Sequence, residues 1–381
     1  MAALTSMANE RIKAVTMPKW GLSMTRGKIV EWLVAEGDAV SDGAGLVDVE
    51  TDKTTGTVEA SVEGVLRRIV AGPGREVPVG GTIALVAPAE VPDADLDAAA
   101  ADAADRLASG EVEAPVGPAV ASVEVEGRSI AYASLGDGPD VTVLVHGYGG
   151  DKNSWLFVEE PLAQHGTVHA LDLPGHGSSD KDVGDASLEL LARSVLGFLD
   201  ALGIDRAHLV GHSLGGAVVL AAAADAPGRV RSLTLVAPAG FGPDIDAAYF
   251  HEFATAKARR PLQALLGRLF FDQKLVTRQL VEDVLRYKRL DGVDAALTAL
   301  MGTLLDGDRQ AIDAGPLLER ASVEVPVVIV WGKEDRLLPP PASADLEGRA
   351  RVHLLDGVGH MAHLERPDAV LRAAEEAAAG R

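Results

Sequence analysis

The chain has 381 residues, enough for two or three domains, and its apolar content of 47% is ordinary for folded globular protein. A net charge of −21 argues against a nucleic-acid or anionic-membrane surface, because Lys and Arg would have to dominate such a face and no basic run appears. Cysteine is absent, which excludes disulfides, thiolate metal sites and a cysteine nucleophile, so any thiol chemistry has to come from a cofactor.

No apolar core of signal-peptide length precedes Met17-Pro18, and no stretch reaches the roughly 18 apolar residues of a spanning helix. A soluble cytoplasmic protein with neither a nucleic-acid nor a membrane partner is expected. The first elements in chain order form a repeat. Residues 27–50 align without a gap on residues 64–87: Gly27 on Gly64, Gly37 on Gly74, Val40 on Val77, Gly43 on Gly80, Val49 on Val86. The apolar positions match as well, Ile29 with Leu66, Trp32 with Ile69, Leu33 with Val70 and Leu46 with Ile83. Each copy reads as a strand, a Gly-bearing turn and a second strand. One such unit cannot bury its own apolar face, so the two are expected to pack about a pseudo-twofold as a flattened barrel or sandwich. The segment joining them, with Lys53 in Val49-Glu50-Thr51-Asp52-Lys53-Thr54-Thr55-Gly56, then becomes an exposed hairpin.

Residues 11–87 resemble a lipoyl or biotinyl domain, a family that places its modified lysine between two half-repeats. Biotin carriers usually flank that lysine with Met, whereas Glu-Thr-Asp-Lys is the lipoyl form. With Asp52 and Thr54 on either side, the resemblance implies covalent lipoate on Lys53.

Residues 88–120 shift to Ala, Asp, Glu and Pro, with eight acids against the single base Arg106, and read as a linker. Within it, Asp93 to Leu107 favours a short helix, because Ala dominates and acids lie at its N-terminal end. A fully flexible segment of this length would span roughly 30 Å.

Residues 121–381 alternate apolar strand-like runs (Val141 to Val145, Val168 to Leu173, Ala207 to Val210, Leu233 to Val236, Val327 to Trp331, Val352 to Leu355) with helical segments such as Leu188 to Leu202 and Gly215 to Ala224. This pattern predicts an α/β domain with a mostly parallel sheet covered on both faces, after an antiparallel start at Val123 to Tyr132. Residues 241–316 break the alternation with helical stretches between the strands bearing Leu235 and Ile329.

Gly211-His212-Ser213-Leu214-Gly215 lies between a predicted strand and a predicted helix, the setting in which a Gly-x-Ser-x-Gly turn exposes its serine above a sheet. A serine needs a base and an orienting acid. Candidates follow in the order Ser, Asp, His: Asp335 with its neighbour Glu334 as rival acid, and His360 with His363 as rival base. The region resembles the α/β-hydrolase family, whose Gly-x-x-Asp and Gly-x-x-His turns fall on Asp335 and His360. The family's His-Gly-x-Gly loop falls on His146-Gly147-Tyr148-Gly149. That likeness implies oxyanion donors at the backbone N–H groups of Tyr148 and Leu214, and a cap at residues 241–316. Leu173-Pro174-Gly175-His176-Gly177-Ser178-Ser179 matches a further family loop and is expected to shape the site without doing chemistry, as are His146 and His212.

A lipoyl domain fused to an α/β-hydrolase domain resembles the dihydrolipoamide acetyltransferase components of acetoin dehydrogenase systems. The resemblance implies acetyl transfer to coenzyme A, with thiamine-diphosphate-dependent acetoin dehydrogenase subunits and dihydrolipoamide dehydrogenase as partners. Most related acyltransferases instead carry His-x-x-x-Asp-Gly; here His353-Leu-Leu-Asp-Gly is one residue short. A serine hydrolase tethered by a lipoyl arm, or a lipoyl carrier on an inert hydrolase scaffold, are the other readings the sequence offers.

Overall fold

The two N-terminal repeat copies interlock strand by strand. The elements are β1 (Lys13–Thr16), β2 (Arg26–Trp32), β3 (Ala39–Val40), β4 (Gly45–Glu50), β5 (Thr55–Glu59), β6 (Gly64–Ile69), β7 (Glu76–Pro78) and β8 (Thr82–Ala87). They form two antiparallel four-stranded sheets in the orders β1-β8-β6-β3 and β5-β4-β2-β7. Replacing each strand by its repeat partner turns one order into the other, and each sheet takes its short edge strand from the opposite copy. Equivalent side chains fill the shared interior, Ile29 with Leu66 and Leu46 with Ile83, all fully buried. Each such burial stabilises by roughly 2 kcal/mol. Gly37 and Gly74 occupy equivalent turns at φ 98° and 84°, where an L side chain would be strained.

This computed structural model describes residues 11–18, 26–41, 43–50, 55–60, 62–109, 119–342, 346 and 348–380. The chain divides into two units, Met1–Gly117 and Pro118–Arg381. Glu50 pairs with Thr55 across the ends of β4 and β5. Lys53 itself lies outside the described residues.

The acidic stretch after β8 does not run free from Pro88. Helix α1 (Asp93–Ser109) packs on β6 and β8, with Leu96 fully buried and Leu107 against the sheet core. Arg67 binds the turn before it, donating to the carbonyls of Pro88 (2.9 Å), Ala89 (3.2 Å) and Val91 (3.2 Å) and to Asp93 (3.0 Å). Arg68 reaches Asp93 and Asp97 at 3.0 and 2.8 Å. The acids that mark this segment as linker-like in sequence therefore serve in part to dock a helix on the first unit.

The second unit holds β9 (Ala119–Val125), β10 (Arg128–Leu135), β11 (Val141–Val145), α2 (Glu159–Ala163), β12 (Thr167–Leu171), α3 (Leu188–Ala201), β13 (Ala207–His212), α4 (Leu214–Asp225) and β14 (Val230–Val236). The cap follows, with α5 (Ala247–Thr255), α6 (Arg259–Gly267), α7 (Arg278–Lys288), α8 (Val293–Leu304) and the small hairpin β15 (Leu305–Asp306) and β16 (Arg309–Gln310). The chain closes with α9 (Gly315–Ala321), β17 (Val327–Gly332), β18 (Arg351–Leu355), α10 (Ala362–Glu365) and α11 (Pro367–Ala378). The eight-stranded sheet has the order β18-β17-β14-β13-β11-β12-β10-β9 and is parallel from β18 through β12. Only β9 and β10 run antiparallel to their neighbours.

Its strands read as unbroken apolar runs because both faces are covered. Val143, Leu209, Leu235 and Ile329 enter one core, while the alternate residues Leu144, Val210, Val236 and Val328 enter the other. Among the described residues, no helix is long and apolar enough to cross a membrane.

Candidate active site

Ser213 sits at the junction of β13 and α4 with φ 54° and ψ −118°, a conformation disfavoured for any residue with a Cβ. The surroundings hold it there. Its N–H donates to the Val236 carbonyl at 2.9 Å, and its carbonyl accepts from Ala217 at 3.2 Å and Ala239 at 3.0 Å. The flanking glycines are required sterically: a Cβ on Gly215 would be driven into the Val145 and His146 carbonyl oxygens, and one on Gly211 into the Gly215 carbonyl. The cost of the strain is met by a serine placed at the C-terminal edge of the sheet and at the start of α4.

The loop after β11 lies against this elbow. A Cβ on Gly147 would fall 3.0 Å from Ser213 Cβ, so only glycine permits the approach. Two neutral histidines fix the loop. His146 Nδ1–H donates to the Gly147 carbonyl at 2.7 Å while its Nε2 accepts from the Leu173 N–H at 3.0 Å. His176 Nδ1–H donates to the Pro174 carbonyl at 3.1 Å while its Nε2 accepts from the Gly149 N–H at 3.1 Å. Burial lowers both imidazoles, that of His176 to about 3, and a neutral ring is what these paired donor and acceptor roles demand. The loops 146–150 and 173–179 are thereby braced against each other. Tyr148 sends its hydroxyl to the Leu297 carbonyl of α8 at 2.9 Å, and Tyr287 of α7 reaches the Gly175 carbonyl at 3.1 Å, so the cap is hooked to both loops. Leu214 is the first residue of α4, and its N–H has no intrahelical acceptor.

On the far side of the elbow, His360 Nδ1–H donates to Asp335 Oδ2 at 2.7 Å. Both residues are buried. The Asp335 carboxylate also accepts from the N–H groups of Leu337 and Leu338, each at 2.9 Å, and from the Trp331 indole at 3.0 Å. His360 is anchored by its own N–H to the Leu269 carbonyl of the cap at 2.8 Å, and by its carbonyl, which accepts from His212 Nε2–H at 3.1 Å.

The rivals fall elsewhere. Glu334 accepts from the Val358 N–H at 3.0 Å. His363 is wedged between Trp155 and His212, at ring-centroid distances of 4.8 and 4.4 Å; neither of its nitrogens has a partner, and burial lowers it to about 3. Asp335 and His360 are the pair the fold brings together.

Three contributors escaped the sequence. Lys152 and Asp172 form a buried ion pair at 2.8 Å beside the loops 146–150 and 173–179, and Asp172 also receives the N–H groups of Lys152 and Ser178, each at 2.7 Å. Glu365 accepts from Gly359, the neighbour of His360. The Trp331 indole on Asp335 joins residues four apart in sequence, a spacing that carries meaning only once β17 is seen to end in a turn.

The fold and this site define an α/β hydrolase carrying a lipoyl-type domain. Sequence patterns agree: residues 141–367 match the alpha/beta hydrolase fold family and residues 13–86 match the biotin-requiring enzyme family of biotinyl and lipoyl domains. Two curated proteins span almost the whole chain. Each is a dihydrolipoyllysine-residue acetyltransferase component of an acetoin cleaving system. The Pseudomonas putida protein is 45% identical over 363 residues, covering 94% of this chain and 96% of its own, and the Cupriavidus necator protein is 42% identical over 352, covering 92% and 93%. A solved meta-cleavage product hydrolase from Pseudomonas fluorescens IP01 shares the fold of the second unit, at TM-score 0.61 and 24% identity over 67% of this chain and 96% of that one. The chain belongs to the family of acetyltransferase components of acetoin-cleaving systems built on an α/β-hydrolase fold.

Proposed function

We propose that this protein transfers an acetyl group from a lipoyl arm on Lys53 to coenzyme A, using Ser213 as nucleophile, His360 as general base and acid, and Asp335 to orient it. The observation that carries the reading is the Asp335–His360 hydrogen bond beside an elbow serine, in a chain that also holds a lipoyl domain. The residues flanking Lys53 fit the group: Glu50 and Thr55 pair at the ends of β4 and β5, Glu50 is exposed, and only residues 51–54 lie between them. When bound, lipoate supplies the thiol that carries the acetyl group as a thioester.

Ser213 Oγ forms the bond to the acetyl carbonyl as its proton passes to His360 Nε2. Nδ1–H faces Asp335, so Nε2 holds the free lone pair. The backbone N–H groups of Tyr148 and Leu214 stabilise the tetrahedral oxyanion, worth about 3 kcal/mol per donor in comparable sites. His360 then returns the proton to the departing thiol, leaving acetyl-Ser213. In the second half His360 takes the proton of the coenzyme A thiol, which attacks the acyl-serine, and Ser213 leaves with that proton restored. Asp335 orients the ring and stabilises the imidazolium that forms.

In this reading residues 11–87 form the carrier domain, 88–120 the acidic connection and 121–381 the transferase domain capped by 241–316. The carrier is loaded by a thiamine-diphosphate-dependent acetoin dehydrogenase and reoxidised by dihydrolipoamide dehydrogenase in the cytoplasm.

The test supplies lipoylated full-length protein with an acetyl donor and measures acetyl-coenzyme A and free acetate. Ser213→Ala is expected to lower acetyl-coenzyme A formation by about a thousandfold or more. Full transfer by that variant would remove the serine from the mechanism. Rapid acetate release without coenzyme A would make the protein a hydrolase.

A further inference from the structure

Nine of the chain's 35 Lys and Arg residues lie between Lys257 and Arg289, against three carboxylates, in a protein of net charge −21. These positions are dispersed in sequence, but α6 and α7, which carry Arg259, Arg260, Arg278, Arg286 and Lys288, pack together, while Arg268 turns to Asp246 and Glu252. Glu282 accepts from Arg278 Nε at 2.8 Å; that hydrogen bond first, then the charges of Arg278, Arg259 and Arg286, lower its carboxyl. Arg286 pairs with Asp283, yet across residues 257–289 positive charge remains in excess.

Helix stability does not account for this placement. Arg259 and Arg260 occupy the first turn of α6, where the helix dipole favours acids, and its N-cap, Ala258, offers no side-chain acceptor. Lys257, Arg259 and Arg260 are all exposed.

The patch also adjoins the reaction centre. Lys257 Nζ pairs with Asp294 at 2.7 Å, and the buried Lys288 ammonium, which donates to the Ala254 carbonyl at 3.2 Å, lies 4.7 Å from the Phe253 ring centroid. A Cβ on Gly149 would come within 2.5 Å of that ring, so one aromatic side chain separates Lys288 from the loop carrying Tyr148. By contrast, the groove of about 730 Å³ between α3, α4 and α8 is lined, among the described residues, by Asp185, Glu189, Asp225 and Asp313 against the single base Arg320, a balance unfavourable to a polyanion.

We propose that the α6–α7 face of the cap receives the 3′-phosphate and diphosphate of coenzyme A. The inference rests on the acetyl-transfer reading above. An acidic protein repels a polyphosphate acceptor over most of its surface, and a local surplus of guanidinium groups beside the acyl site gives it one place to bind.

Lipoylated full-length protein is assayed for acetyl transfer to coenzyme A, dephospho-coenzyme A and pantetheine. Arg259→Glu combined with Arg260→Glu, and separately Arg259→Ala with Arg260→Ala, are expected to lower the ratio of kcat/KM for coenzyme A to that for pantetheine by about tenfold and severalfold, respectively. A matched charge reversal away from the cap, Arg193→Glu with Arg372→Glu, is expected to leave the ratio within twofold. A wild-type ratio near one, an unchanged ratio in the Arg259 and Arg260 variants, or an equal fall in the Arg193 and Arg372 control overturns the inference while leaving acetyl transfer intact. Wild-type protein that transfers acetyl to none of the three acceptors removes the acetyl-transfer reading, and this inference with it.

Discussion

The Glu365 carboxylate receives the N–H of Gly359 at 2.8 Å on one oxygen, and the N–H groups of Phe271 at 2.8 Å and Asp272 at 3.3 Å on the other. It therefore joins the turn that carries His360 to the segment of the cap that follows α6. The His360 N–H to Leu269 carbonyl bond adds a second tie between the same two stretches.

Replacing Glu365 by Gln keeps the shape but leaves one oxygen to serve donors on two sides. The expected result is a fall in kcat of about tenfold for Glu365→Gln and more for Glu365→Ala, with circular dichroism unchanged. A kcat within twofold of wild type in both variants would show that the cap tie does not position His360.

Gly215→Ala tests the elbow. Its Cβ has no room beside the Val145 and His146 carbonyls, so β11 and α4 would have to separate. The expected cost is at least about 3 kcal/mol of stability, with loss of Ser213 labelling by a fluorophosphonate probe. Chemical denaturation and mass spectrometry of the labelled protein measure the two effects.

Lys152→Met leaves Asp172 buried without its counter-charge, whereas Asp172→Ala also orphans the N–H groups of Lys152 and Ser178. Both are expected to cost about 3 to 5 kcal/mol, with Asp172→Ala the worse. Urea unfolding monitored by tryptophan fluorescence reads this directly, and the reverse ranking would contradict the role given to the two backbone donors.

Acid should unfold the second unit early. His176 and His363 are held neutral by burial, each lowered from 6.5 to about 3. The unfolded chain binds protons at these positions below pH 6.5 while the folded chain does not, so stability falls as pH drops from about 6.5 toward 3. The slope is about 1.4 kcal/mol per pH unit for each histidine. His363→Phe, which removes two unpartnered buried nitrogens, is expected to flatten that acid limb and to leave stability at pH 7 equal or higher. A steeper limb in this variant would contradict the account.

Arg67→Ala removes the four bonds that seat the turn before α1. Hydrogen exchange across residues 93–109 should accelerate while that of β6 and β8 stays protected. Equal acceleration in both would mean that α1 and the sheet open as one unit.

The fold was legible because its signals are local and repeated. The match of Ile29 to Leu66 and of Gly37 to Gly74 could be read by laying the chain against itself, and it recurs in space as two sheets of identical order. The continuous apolar runs of β11, β13, β14 and β17 announced strands covered on both faces. The helix within the acidic stretch was visible from its alanines, but its docking was not, because Arg67 and Arg68 lie about 25 residues upstream of their partners.

What the amino-acid order determined by itself was the repeat that singles out Lys53, the Gly-x-Ser-x-Gly turn at Ser213, and the succession of Asp335 and His360. Each is a short-range pattern of residue types whose backbone or chemical demands few other residues meet. Only the tertiary structure decided that Asp335 faces His360, that Glu334 faces the Val358 N–H, and that His363 lies apart from the acid against Trp155 and His212. It alone showed Lys152 closing on Asp172, Glu365 tying the cap to the His360 turn, and the arginine-bearing helices α6 and α7 packed together. These are contacts between side chains from separate elements. Which of two adjacent acids or neighbouring histidines is chosen depends on the direction each side chain takes, and packing of the whole domain sets that direction.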